Sequence, residues 1–143
     1  MHWHTYLWSG DGQQLKNEAL RRPEPDAGFR TSAMPPMMTG WWLLKPTSLL
    51  SSTLTTPEHT VAWLRSRYAD HPPPPAQAEQ LALDLRAAHA TEALTAGSDV
   101  VWSYWQHENG PRFLHLAAVC CPNRLWPSIP CPDPLAATTP GVP

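Results

Sequence analysis

His2 and His4 stand two residues apart in the opening segment MHWHTYLW, and on an extended strand side chains two apart project to the same face. Two imidazoles on one face are half of a transition-metal site. A closed zinc site takes four N, S or O donors, so this pair needs help from elsewhere; His107, His115, Cys120 and Cys121 are the candidates. None of the familiar metal-binding spacings is present, and ordinary histidines on a strand surface are the competing explanation. Cys120 and Cys121 are adjacent, so on a strand they point to opposite faces and are badly arranged to grip one ion together. A redox role would need a cation to depress a thiol, and Arg124 is the nearest in sequence. Packing as small apolar groups is the plainer role for both.

Other constellations are thinner. Ser103 and His107 are four strand residues apart, roughly 13 Å at standard rise, which excludes a direct nucleophile–base pair. Glu58, Asp70, Glu79, Asp84 and Glu92 are spread along helical segments and read as solvated charges. No Gly-rich phosphate loop, nucleophile elbow or dinucleotide fingerprint occurs. Trp63 and Arg67, one helical turn apart, are placed for a cation–π contact, and with Trp126 they form a candidate protein-binding set. Trp102, Tyr104 and His115 are candidate pocket residues between helices and sheet.

The elements that must position these groups follow from patterning. Residues 99–121 read as a β-hairpin, with Val, Trp, Tyr and Phe in two arms around Glu108-Asn109-Gly110-Pro111. Counting back from that turn pairs His107 with Arg112, Trp105 with Leu114 and Ser103 with Leu116, and sets Tyr104 beside His115. Further strands are expected at 2–8 and 40–45, with an edge strand around 49–54. A short helix is expected over 13–22. Thr56 as cap, Pro57 in the first turn and Glu58 at the positive end start a helix running to about Tyr68, with Val61, Leu64 and Tyr68 as its buried stripe. The run Pro72 to Pro75 blocks propagation. A second helix spans 76–96, with Gly97 as its C-terminal cap and two apolar stripes: Ala78, Leu81, Leu85, Ala88 and Leu83, Ala87, Ala90, Leu94.

The resulting expectation is an α+β domain over residues 1–121, a small mixed or antiparallel sheet of roughly four strands packed by two helices, followed by a Pro-rich, irregular tail over 122–143, with Leu125, Trp126 and Ile129 as candidate anchors of its first part against the body. At 143 residues there is room for one core, not two good ones. Charged residues reach only 15%, against roughly 25% in ordinary soluble domains, and 18 prolines take up the difference. A net charge of -2 offers no general attraction to phosphate or anionic lipid, so neither nucleic acid nor membrane is an expected partner. There is no secretory pattern and no apolar run of membrane-spanning length. Three cysteines without an export signal suit reduced thiols in a bacterial cytoplasm, an assignment that the excess of Arg over Lys also favours. Three functional readings follow. The first is a noncatalytic accessory protein that binds another protein through Trp63, Arg67 and Trp126. The second is a small enzyme or ligand binder with a pocket at Trp102, Tyr104 and His115. The third is a metal-binding protein through His2 and His4, with a divalent ion as the one cofactor to consider.

Overall fold

The computed structural model describes residues 1–24, 28–80, 82–107 and 110–133. Its frame is a four-stranded antiparallel sheet of β1 (His2–Asp11), β2 (Ser52–Leu54), β3 (Val100–Trp105) and β4 (Arg112–Cys121) in the order β2-β1-β4-β3. β1 and β4 are both 10 residues long and pair over their full length, from His2 opposite Cys121 to Asp11 opposite Arg112. Both are central strands, apolar on both faces, so each face must be covered.

One face carries Trp3, Trp102, Tyr104, Leu114, Leu116 and Ala118 and is closed by two helices. The first, α2 (Pro57–Asp70), starts where Thr56 accepts from the His59 N–H, and buries Val61, Leu64 and Tyr68. The second, α4 (Leu83–Thr95), buries Ala87, Ala90 and Leu94 and ends at Gly97, whose φ of 81° supplies the left-handed turn. Only one of the two stripes expected for this helix is therefore covered; Leu85 and Ala88 of the other are exposed, and Leu81 lies outside the described residues. The expected single helix is also two, because α3 (Pro75–Gln80) ends before Ala82, whose backbone at φ -42° and ψ 113° is not helical. No described side chain of α3 is buried, so no packing holds it in line with α4.

The opposite face carries Tyr6, Trp8, Ala117 and Val119 under a layer with little regular structure, including Met34, Trp42 and Leu43. The segment expected as a strand at 40–45 is a 3-10 turn over Thr39–Leu44. Its winding lets Trp42 stack on Tyr6 at 4.7 Å and 13° while Trp41 packs against Trp126; an extended WWLL would point Trp41 and Trp42 to opposite faces. The helix expected over 13–22 is likewise two 3-10 turns, Gly12–Lys16 and Glu18–Arg21, with no regular α-helix. The short α1 (Gly28–Thr31) buries Phe29, and the buried Lys45 ammonium donates to the Phe29 and Ser32 carbonyls, 2.7 Å each. Each fully buried Leu, Phe or Trp in these two cores contributes roughly 1.5–3 kcal/mol.

The hairpin is present, but its register differs from the sequence count by one residue. Trp105 stands opposite Phe113, Tyr104 opposite Leu114 and Ser103 opposite His115. Gln106 N–H donates to the Arg112 carbonyl, so the connection holds five residues where the count allowed four. Since side chains alternate, a one-residue change turns Tyr104 and His115 to opposite faces. The turn residues Glu108 and Asn109 lie outside the described residues. Among the described residues no helix is long and apolar enough to cross a membrane.

Beyond β4 the chain does not leave the domain at once. Asn123, buried, donates through Nδ2 to both Asp99 carboxylate oxygens and to the Cys120 carbonyl, and its Oδ1 accepts from the Leu125 and Trp126 N–H groups. Asp99 also accepts from Cys120 N–H at 2.8 Å. Trp126 packs against Trp41, and Ile129 against the second core. Residues 122–133 thus form a strap across the second face that has no helix or strand, in keeping with the irregular structure expected there; residues 134–143 lie outside the described residues.

Candidate metal centre

The register of β1 and β4 brings together three of four donors without any loop. His2 is directly opposite Cys121, and His4 is two residues further along β1 on the same face. Direct cross-strand neighbours have Cβ atoms roughly 4.5–5.5 Å apart, within easy reach of one ion. The strap then brings Cys131 over the same face. His4 Nε2 lies 3.1 Å from His2 Nε2 and 3.2 Å from Cys131 Sγ, and Cys131 Sγ lies 3.4 Å from His2 Nε2. With Cys121 included, all four donor atoms fall within 4.8 Å of one another. For Zn–N near ~2.05 Å and Zn–S near ~2.3 Å, the edges of a tetrahedron are ~3.3 Å for N···N and ~3.6 Å for N···S. The separations among His2, His4 and Cys131 match one face of such a tetrahedron, drawn in by a few tenths of an ångström, and Cys121 stands within 4.8 Å of all three.

The surroundings favour this use. His4 Nδ1 is 2.9 Å from Thr53 Oγ1, opposite it on β2. With Nδ1–H donating to that hydroxyl, Nε2 keeps its lone pair toward the cluster, the arrangement that orients metal-binding imidazoles. Burial lowers the pKa of both histidines, that of His4 to about 4, with the His2 charge as a further cause for His4. Both are neutral at pH 7, the form that binds metal. Burial, and then a hydrogen bond with Cys131, push the Cys121 thiol up to about 12, so a thiolate there needs a cation beside it. His2, His4 and Cys121 are buried and Cys131 is half-buried. Cys120 faces the helical core, its Sγ directed to the Pro122 carbonyl, and its thiol is raised by burial and by Asp99. The two neighbouring cysteines are split between faces, and only Cys121 joins the cluster.

The remaining sequence candidates do not converge. Tyr104 and Trp102 lie in the helical core, each with its ring near Tyr68, and Tyr104 Oη donates to the His71 carbonyl. His115 sits on the other face, where its Nε2 accepts from Trp42 Nε1 at 3.4 Å and burial lowers its pKa to about 4. Trp102 and Tyr104 thus lie on one face of the sheet and His115 on the other. Trp63 is half-buried against the helical core with its N–H on Ser51, and Arg67 pairs with Asp70 at 3.6 Å, not with the Trp63 ring. Trp126 belongs to the strap on the opposite face. His107 is exposed at the hairpin end and His115 is outside the cluster, so of the donors first considered only Cys121 joins His2 and His4. Cys131 was the residue missed. It sits 129 positions from His2 in a Pro-rich segment, and no local spacing connects the two. Comparison with protein-family models, curated proteins and solved structures finds no match for this chain.

Proposed function

We propose that the protein binds one zinc ion through His2, His4, Cys121 and Cys131, and that the ion clamps the strap to the edge of the β1–β4 pair. The observation that carries this reading is the convergence of four N and S donors from three separate parts of the chain to within 4.8 Å of one another, with the separations among His2, His4 and Cys131 close to tetrahedral edges. Two nitrogens and two sulfurs in that geometry suit zinc better than magnesium, calcium or copper(II). Four protein donors, three of them buried, leave no open coordination position for a substrate, which supports a structural centre over a catalytic one. The role is then that of a noncatalytic, metal-stabilised protein.

Elemental analysis of protein purified without chelator, and of zinc-free protein reloaded by titration, tests this. One zinc per chain is expected, lost in Cys131→Ser and in His4→Ala. Reloaded wild-type protein that holds no stoichiometric zinc would overturn the reading.

A further inference from the structure

Cys121 and Cys131 differ in one respect that matters for chemistry at sulfur. Cys131 is half-exposed in the strap, whereas Cys121 is 2% exposed at the end of β4. A reagent from solution therefore meets Cys131 first, and the sulfur nearest to whatever forms there is Cys121. Cys120, the remaining thiol, lies on the other side of the sheet and cannot compete. We propose that Cys121 and Cys131 form a peroxide-oxidisable dithiol, whose conversion to a disulfide expels the zinc ion; this rests on the zinc reading above.

Coordination would hold both sulfurs as thiolates, the nucleophilic form. The Cys131 thiolate attacks hydrogen peroxide, an S–O bond forms as the O–O bond breaks, hydroxide leaves, and the sulfur is oxidised to a sulfenic acid. The Cys121 thiolate then attacks that sulfur, the S–S bond forms, and a second hydroxide leaves. In total two thiolates and one peroxide give one disulfide and two hydroxides, which take protons from solvent. Two sulfurs of a zinc tetrahedron are ~3.8 Å apart, so closing to the ~2.05 Å of a disulfide needs only a small approach. His2 and His4 are left as two donors, half of a closed site. The disulfide also joins β4 to the strap where the ion had joined them. The strap stays tethered in the oxidised, zinc-free protein and loses that tether in the reduced, zinc-free one.

The test uses the Cys120→Ser variant, which leaves two thiols. Zinc content is measured first, then hydrogen peroxide is titrated in while a chromophoric chelator reports released zinc, thiols are counted in denaturant, and peptides are mapped. One zinc released for every two thiols lost, a cross-linked peptide containing Cys121 and Cys131, and recovery of both thiols with dithiothreitol are expected. Zinc loss accompanied by sulfinic acid without a disulfide, or thiols that survive peroxide with zinc in place, would overturn the proposal. Protein that never takes up zinc contradicts the metal reading instead, and mapping its peroxide-treated form still decides whether the pair oxidises.

Discussion

Thr53→Val isolates one hydrogen bond at the centre without touching a donor. Thr53 stands opposite His4 in the β1–β2 ladder, and its Oγ1 is 2.9 Å from His4 Nδ1. Valine has nearly the same shape and is as well suited to a strand, so the backbone and the four donors are kept. What is lost is the acceptor that fixes the tautomer and ring orientation of His4. Removing such a partner typically weakens metal binding by about 10–100-fold, equivalent to about 1.4–2.7 kcal/mol. Competition against a chromophoric zinc chelator of known affinity reads this directly, and Thr53→Ser, which keeps a hydroxyl, should remain close to wild type. Thermal unfolding of the zinc-free forms serves as the control, where the loss of one partly buried hydrogen bond costs roughly 0.5–1.5 kcal/mol. Unchanged zinc affinity in Thr53→Val, beside a large loss in His4→Ala, would refute the orienting role; unchanged affinity in both would remove His4 from the site.

Asn123→Ala leaves the Asp99 carboxylate and the Cys120 carbonyl short of a buried donor, so a loss of about 2–4 kcal/mol is expected, seen as a fall in Tm on the order of 10 °C together with weaker zinc binding. Burial holds the Lys45 ammonium near a pKa of about 8, below its ordinary 10.5, so between those values the unfolded chain binds more protons and stability gained from this group rises with pH. The stability difference between wild type and Lys45→Met should therefore shift in favour of wild type by of order 2–3 kcal/mol from pH 8 to 10.5 in denaturant titrations, and a pH-independent difference would contradict the buried charge. Tyr104→Phe removes the bond to the His71 carbonyl and should cost about 1 kcal/mol in the same titrations while leaving zinc affinity unchanged, since that ring lies in the helical core.

Where sequence and structure agree, the deciding interactions are local. Thr56 and Pro57 start α2 and Gly97 ends α4 because capping chemistry acts within a turn, and the alternation of His2 and His4 survives because β1 is long and paired throughout. Where they part, the deciding interaction is distant. The WWLL run is short enough to suit either a strand or a turn, and the stack of Trp42 on Tyr6 decides for the turn. The hairpin register depends on whether its connection holds four residues or five, which the turn residues did not fix, and that single residue separates Tyr104 from His115. Cys131 reaches the cluster only because Asn123 ties the start of the strap to Asp99 and Ile129 seats it on the second core. A Pro-rich composition speaks against regular structure in the strap, and its few large apolar side chains, Trp126 and Ile129, are what seat it on the domain.

X-ray absorption at the zinc edge of the reloaded protein tests the central claim most directly. The account predicts a first shell of two nitrogen scatterers near ~2.0 Å and two sulfur scatterers near ~2.3 Å, falling to one sulfur or losing the ion in Cys131→Ser. A shell of oxygen and nitrogen without sulfur, or one unaltered by Cys131→Ser, would contradict it.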